Sequence, residues 1–226
     1  VVDAKIKYPV ALDNNFATWQ AYENRFWPAK YLIGKDGQVR YTHFGEGDYA
    51  ETEETIQKLL KESGKPVTDK IEIERSASSS VRGQTPETYL GFERAKRFAN
   101  ADQFTANNPI DYGLVNDLKE HEWSLGGRWQ VNDESSQSLA DNTKLDINFS
   151  GKEVYLVMSG RPGALVGVSV AGLDKPGGED VNAQGKVSLN GARLYKLVKA
   201  DEFLKNRRLT ITFPAGVTVN AFTFGS

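Results

Sequence analysis

Few residues in this sequence can do chemistry, and the gaps are as informative as the residues present. The 226 residues contain no cysteine, which removes thiolate nucleophiles, disulfides and sulfur-ligated metals together. The two histidines, His43 and His121, lie far apart in sequence, and a zinc site of Cys/His type cannot be assembled from them. His43 sits beside Phe44 in an alternating run that offers a general base no nucleophile, so it reads as a surface or half-buried strand residue. Glu120, Glu122 and Glu134 are scattered carboxylates, whereas a glycosidase holds two at a fixed separation. The stretch Asp174 to Asp180, with Asn182, offers hard oxygen ligands for a calcium ion. It lacks EF-hand spacing and includes Lys175, so a solvated loop is the better reading. Gly45-Glu46-Gly47 lacks the Lys and Ser/Thr of a phosphate-binding loop. Neither a metal nor a cofactor is expected.

Aromatic residues are the next candidates. Trp123, Trp129, Tyr112, Tyr155 and Tyr195 are of the types that stack on sugar rings, and Trp123 and Trp129 are the candidate ligand aromatics. A β-domain of this size ordinarily buries two tryptophans, so core packing is preferred for both, with Gly126-Gly127 marking a turn nearby. Trp27-Pro28 is the remaining pair of interest. Taken alone, an X-Pro bond defaults to trans and the proline simply opens an edge strand.

The elements that position these residues fall into two styles. Tyr8 to Asp13 reads as a short buried strand, followed by a turn at Asn14-Asn15. Asn15 is placed to cap a short helix carrying Phe16, Trp19 and Tyr22 at helical spacing. Phe26 to Ile33 reads as a strand, Gly34 to Gly37 as a tight turn, and Gln38 to Phe44 as the answering strand. Thr52 to Ser63 is an amphipathic helix with Ile56, Leu59 and Leu60 inward and Gly64 as its stop. Glu51, Glu53 and Glu54 at its start are accounted for by the helix dipole. Lys65 to Gly83 shifts toward Lys, Glu, Ser and Pro and reads as a linker, with a short extended piece at Ile71 and Ile73.

Beyond Thr85 helical periodicity gives way to short β-type runs. They are Tyr89 to Phe92, Trp123 to Leu125, Arg128 to Val131, Leu145 to Phe149, Val154 to Met158, Val166 to Val170, Leu194 to Val198, Arg208 to Phe213 and Val217 to Phe224. Such spacing with Gly, Asn and Asp turns predicts an all-β sandwich or jelly roll. The expected division is 1–64, a linker at 65–84, and 85–226.

Several of these segments carry a family resemblance. Tyr8-Pro9-Val10-Ala11-Leu12-Asp13-Asn14, Tyr31-Leu32-Ile33 with Lys35-Asp36-Gly37, and His43-Phe44-Gly45-Glu46-Gly47 resemble the redoxin domain of bacterial DipZ-type thiol:disulfide interchange proteins. Thr85-Pro86-Glu87-Thr88-Tyr89-Leu90-Gly91, Arg193-Leu194-Tyr195 with Leu197-Val198, and Ala221 to Gly225 extend it through the second part. The resemblance implies an α/β thioredoxin-like fold, partial in this chain, followed by a β-sandwich resembling a carbohydrate-binding module. It implies that Trp27-Pro28 is the cis-proline region of the thioredoxin-like substrate site. It implies disulfide-bearing client proteins, a CcdA-like membrane domain in the parent protein, and an extracytoplasmic location tethered through that domain. The family's Cys-x-x-Cys lies upstream of the strand holding Tyr8. Without it the chain is not redox-competent by itself, whatever its parent does as a thiol-disulfide oxidoreductase.

Bulk properties agree with a packed, non-nucleic-acid-binding chain. Hydrophobic residues make up 39% and the formal net charge is −2, which supports cores but supplies no field for nucleic acid. No stretch approaches the roughly 18 apolar residues of a membrane span. Asp3, Lys5 and Lys7 break up any secretory signal at the start, and the opening Val1-Val2-Asp3 reads as a piece of something longer. Val10, Leu12, Tyr31 and Ile33 are then expected to need cover, most naturally from residues preceding Val1. Two alternatives stand beside the redox reading: residues 85–226 as a module binding glycan or cell envelope, or as a structural or oligomerisation element.

Overall fold

The computed structural model describes residues 5–25, 27–45, 47–67 and 83–225. Phe26, Glu46 and the extended piece expected at Ile71 and Ile73 lie outside them. The chain divides into two units, residues 1–79 and 80–226.

In the first unit a short helix, α1 (Ala17–Ala21), precedes a hairpin of β1 (Ala29–Ile33) and β2 (Val39–Phe44), and a longer helix, α2 (Tyr49–Glu62), follows. The expected cap Asn15 reaches only the Ala17 N–H, at 3.4 Å. Asp13 caps the helix instead, its two oxygens accepting from the Thr18 and Trp19 N–H groups at 2.9 and 2.8 Å. The Phe16 N–H donates to the Asp13 carbonyl at 2.9 Å, and that turn brings Asp13 over the orphan donors of the first helical turn. The hairpin turn forms where Asp36-Gly37 predicts it. Gly34 donates to the Gln38 carbonyl at 2.8 Å, and Gly37 takes the left-handed φ of 77° that such a turn requires. Helix α2 ends as expected at Gly64, with φ 80°, and Lys65 donates back to the Leu60 carbonyl at 3.0 Å.

Two expectations for this unit fail. Tyr8 to Asp13 forms no strand, and Tyr8, Val10 and Leu12 are 69%, 50% and 87% exposed. A strand apolar on both faces holds only between neighbours and covering layers, and among the described residues this unit's sheet is the β1–β2 pair. Leu60, expected inward, is 37% exposed, while Ile56 and Leu59 are half-buried. No described residue of the first unit is buried, so its apolar faces meet one another only partially.

The second unit is β-rich. Its strands are β3 (Thr88–Tyr89), β4 (Pro109–Tyr112), β5 (Trp123–Val131), β6 (Ser136–Ser138), β7 (Thr143–Ser159), β8 (Leu165–Val170), β9 (Lys186–Ser188), β10 (Arg193–Phe213) and β11 (Thr218–Gly225). They hydrogen-bond in the order β3-β11-β6-β5-β7-β10-β8-β9, with β4 on β5 and β11 also on β7. Strands β7 and β10 form a long antiparallel ribbon interrupted by bulges between Lys199 and Arg207 of β10. The front half of β7 pairs with β5 and its back half with β11. Across Ser150 to Glu153 its inward side changes from odd to even residues: Leu145, Ile147 and Phe149 give way to Val154, Leu156 and Met158, all fully buried. A bulge that inserts residues into one strand bends the ladder and re-aims its side chains, which lets both halves of the ribbon serve one core. Burial of each such side chain stabilises the fold by roughly 1.5–3 kcal/mol.

Candidate functional site

In the first unit the aromatics gather around Trp27-Pro28. The Trp27–Pro28 bond is cis, as expected, and the Pro28 carbonyl accepts from the Gly45 N–H at 2.8 Å. Trp27 is 65% exposed and meets Trp19 edge-on at 4.8 Å between ring centroids. Trp19 in turn meets Phe16 at 6.4 Å. A shallow cleft of about 370 Å³ opens beside this group, lined by Asp13, Trp19, Tyr22, Asn24 and Tyr31 among others. Hydrogen bonds from Thr18 and Trp19 hold the Asp13 carboxyl below its ordinary pKa. His43 is half-buried as expected, its Nδ1 lying 3.4 Å from the Asp48 carboxylate. What this group offers is a recessed aromatic and hydrogen-bonding surface, which suits binding.

In the second unit both candidate ligand tryptophans are core residues, as the preferred reading has it, which removes the alternative stacking role considered for them. Trp123 and Trp129 are each 0% exposed. The Trp129 indole N–H donates to the Gly126 carbonyl at 3.2 Å, and its ring meets Phe213 edge-on at 5.3 Å. Trp123 stacks on Phe98 with centroids 4.2 Å apart. Tyr112 and Tyr195 are buried too, leaving Tyr155 half-exposed. The Tyr155 hydroxyl donates to Glu153 at 2.5 Å, and burial first, then that carboxylate, push its pKa up to about 12.

The acidic loop holds cations of the protein itself. Asp180 receives both Arg193 Nη atoms at 2.6 and 3.1 Å, and Glu179 pairs with Lys196 at 2.7 Å. Hydrogen bonding to Arg193 lowers the Asp180 pKa. The fork of the guanidinium matches the two carboxylate oxygens, so this pair is engaged rather than open to calcium. No cluster of metal-ligating side chains occurs among the described residues. His121 Nδ1 lies 2.8 Å from Thr85 Oγ1, and burial lowers the pKa of the ring.

A second cleft, absent from the sequence reading, opens where β3 meets the turn that follows it. Its volume is about 470 Å³, and Glu87, Tyr89, Glu93, Arg94, Lys96 and Arg97 line it. The turn is fastened from beneath. Phe92 and Glu93 donate to the carbonyls of Asn132 and Asp133 at 2.9 and 3.1 Å. Trp123 donates its indole N–H to the Lys96 carbonyl at 2.9 Å and its backbone N–H to the Arg97 carbonyl at 3.1 Å. The guanidinium of Arg94 lies 3.4 Å over the Tyr89 ring, whose hydroxyl donates to Glu87 at 2.5 Å. The residual sequence signal for this place was the basic run Arg94, Lys96, Arg97 between Phe92 and Phe98, which has neither helical nor strand periodicity.

Residues 85–225 match the family model described as Thioredoxin like C-terminal domain. The whole chain is similar to Protein DipZ of Mycobacterium bovis and of Mycobacterium tuberculosis, in each case with 30% identity over 97% of this chain. The chain spans about 30% of the length of those curated relatives. Among solved structures, a family two carbohydrate esterase from Cellvibrio japonicus aligns with 46% of this chain at 16% identity and a TM-score of 0.37, covering 31% of that chain. That likeness is too distant to bear on activity.

Proposed function

Because this chain belongs to the family of the Thioredoxin like C-terminal domain, we propose that it is an extracytoplasmic portion of a thiol:disulfide interchange protein of the cytochrome c biogenesis type. The observation that carries this reading is the similarity to DipZ, which runs through 97% of the chain and therefore through both units. In this reading residues 1–64 are the second half of a thioredoxin-like domain. Residues 85–226 are an accessory binding module of sandwich or jelly-roll type.

The chain has no cysteine, so its own part in exchange is to bind and orient. The exposed Trp27 ring and the backbone beside Pro28 form the surface that receives an extended client segment. The cysteine pair would come from the longer protein. One thiolate attacks the client disulfide, the mixed disulfide is resolved by the second thiol, and the client leaves with two reduced sulfurs while the pair becomes a disulfide. A CcdA-like membrane domain would then return the pair to its thiol form.

Insulin reduction by dithiothreitol tests the division of labour. The chain alone should give no turnover above the dithiothreitol blank, and the longer protein carrying a Cys-x-x-Cys should give clear turnover. Turnover by the chain alone, or none by the longer protein, refutes the reading. A second reading, that residues 85–226 serve as a glycan- or envelope-binding module in their own right, is favoured by the polar cleft beside Tyr89.

A further inference from the structure

The cleft beside Tyr89 has three properties that surface grooves seldom combine. First, its cations are free of carboxylates: Arg94, Lys96 and Arg97 make no ion pair among the described residues, although Arg94 lies over the Tyr89 ring. Elsewhere in the same unit exposed arginine and lysine side chains do find carboxylates, as Arg193 and Lys196 do. Second, the backbone of the turn carrying them is fastened. Four backbone carbonyls or N–H groups of residues 92–97 are fixed to Asn132, Asp133 and the buried Trp123. Gly91 runs so close to the next turn that a Cβ there would stand 2.2 Å from the Glu134 carbonyl carbon. Third, Arg97 is held at the left-handed φ of 56°, a conformation that a non-glycine residue keeps only where its surroundings impose it. Cations carried on a fastened backbone around a concave space are a receptor for negative charge, because the backbone part of the ordering cost is met in folding rather than in binding.

The acids of the cleft narrow the ligand. Glu87 and Glu93 stand among the cations, and a bare anion would meet their repulsion. A ligand carrying hydroxyl groups as well as a negative charge turns the two glutamates into acceptors.

We propose that this cleft binds an acidic sugar, with Arg94, Lys96 and Arg97 holding its carboxylate and Glu87 and Glu93 accepting from its hydroxyls. The proposal rests on the reading of residues 85–226 as a binding module and assigns that module a site and a ligand class.

The test is a titration of the full chain, isotope-labelled for amide NMR, with D-glucuronate, D-glucose and acetate in parallel. Glucuronate should shift the amides of residues 87–97, and added salt should weaken the effect. Lys96→Gln and Arg97→Asn, the latter chosen because asparagine tolerates left-handed φ, should each weaken glucuronate binding about tenfold, the worth of one charge-assisted contact. Their melting temperatures should match the parent, which separates lost binding from lost folding. The proposal fails if glucuronate shifts nothing in residues 87–97, or if both variants bind it as the parent does. Acetate binding as tightly as glucuronate overturns the assignment to a sugar. Glucose shifting amides elsewhere in residues 85–225, with this cleft silent, overturns the site while leaving the module reading intact.

Discussion

Arg208→Met removes a guanidinium while keeping most of its aliphatic stem, and the structure fixes what that removal exposes. Arg208 Nη2 lies 2.5 Å from Asp146 Oδ2, and the two side chains are 30% and 3% exposed. The same guanidinium donates to the Asn116 and Val115 carbonyls at 2.7 and 2.8 Å, tying the segment before β5 across β10. Without it Asp146 keeps a buried charge with no partner. Breaking a buried pair in this way costs about 3–5 kcal/mol, and the partial exposure of Arg208 points to the lower end, about 3 kcal/mol. Set against a typical total of about 5–15 kcal/mol, that loss is large. Urea unfolding followed by the near-ultraviolet signal of buried Trp123 and Trp129 reads it as a lower midpoint at unchanged slope. The double variant Arg208→Met with Asp146→Leu should recover much of the loss, because no charge is left behind. A cost below about 1 kcal/mol for Arg208→Met would refute the reasoning, since that is the range of a solvated surface pair.

Gly91→Ala must push a Cβ against the Glu134 backbone and should lower the melting temperature of the second unit by the equivalent of about 1–3 kcal/mol; an unchanged melt would contradict the close approach. Tyr155 should stay protonated to about pH 12, as read by an ultraviolet titration of the parent against Tyr155→Phe. Its pKa is raised on folding, so its contribution is complete below the unfolded value of about 10 and is lost as pH rises through 10 to 12. Stability that rises over that window relative to Tyr155→Phe would reverse the sign and refute the assignment. Residues 80–226 alone should unfold cooperatively, whereas residues 1–79 alone should not, having no buried residue among those described; calorimetry of the two segments decides both.

Local chemistry made some elements legible and hid others. The β1–β2 hairpin was readable because alternation and Asp36-Gly37 agree on one turn, and Gly64 marked the end of α2 for an equally local reason. Tyr8 to Asp13 misled because an apolar run records what a strand would bury, not whether neighbours are there to bury it. Strands β7 and β10 each read as two separate runs, since the bulged stretches at Ser150 to Glu153 and Lys199 to Arg207 are polar and look like turns. Short β4, β6 and β9 had too few residues to show a period. At the site, the size of the β-domain already favoured burial of Trp123 and Trp129, but not which partners they would meet, which depends on strands far away in sequence. The cations at 94–97 went unnoticed because their grouping into a cleft is made by hydrogen bonds donated by Trp123 and accepted by Asn132, which no spacing rule encodes.

Strand β3 pairs with β11 through Thr88 with Phe222 and Tyr89 with Ala221, and the Thr85 N–H donates to the Ser150 carbonyl at 2.9 Å. A pairing that spans nearly the whole unit has a consequence for the order in which it is made. On the ribosome, β3 and the cationic turn emerge long before the strand that completes them, and β7 must also wait for β10 and β11. Until β11 arrives, the Leu90 N–H lacks the Asn220 carbonyl that accepts from it, and the back half of β7 lacks its neighbouring strand. The second unit therefore folds as a late, non-local event, slow by the measure of contact order, and during synthesis its half-made sheet is the stretch that most needs shielding from other chains.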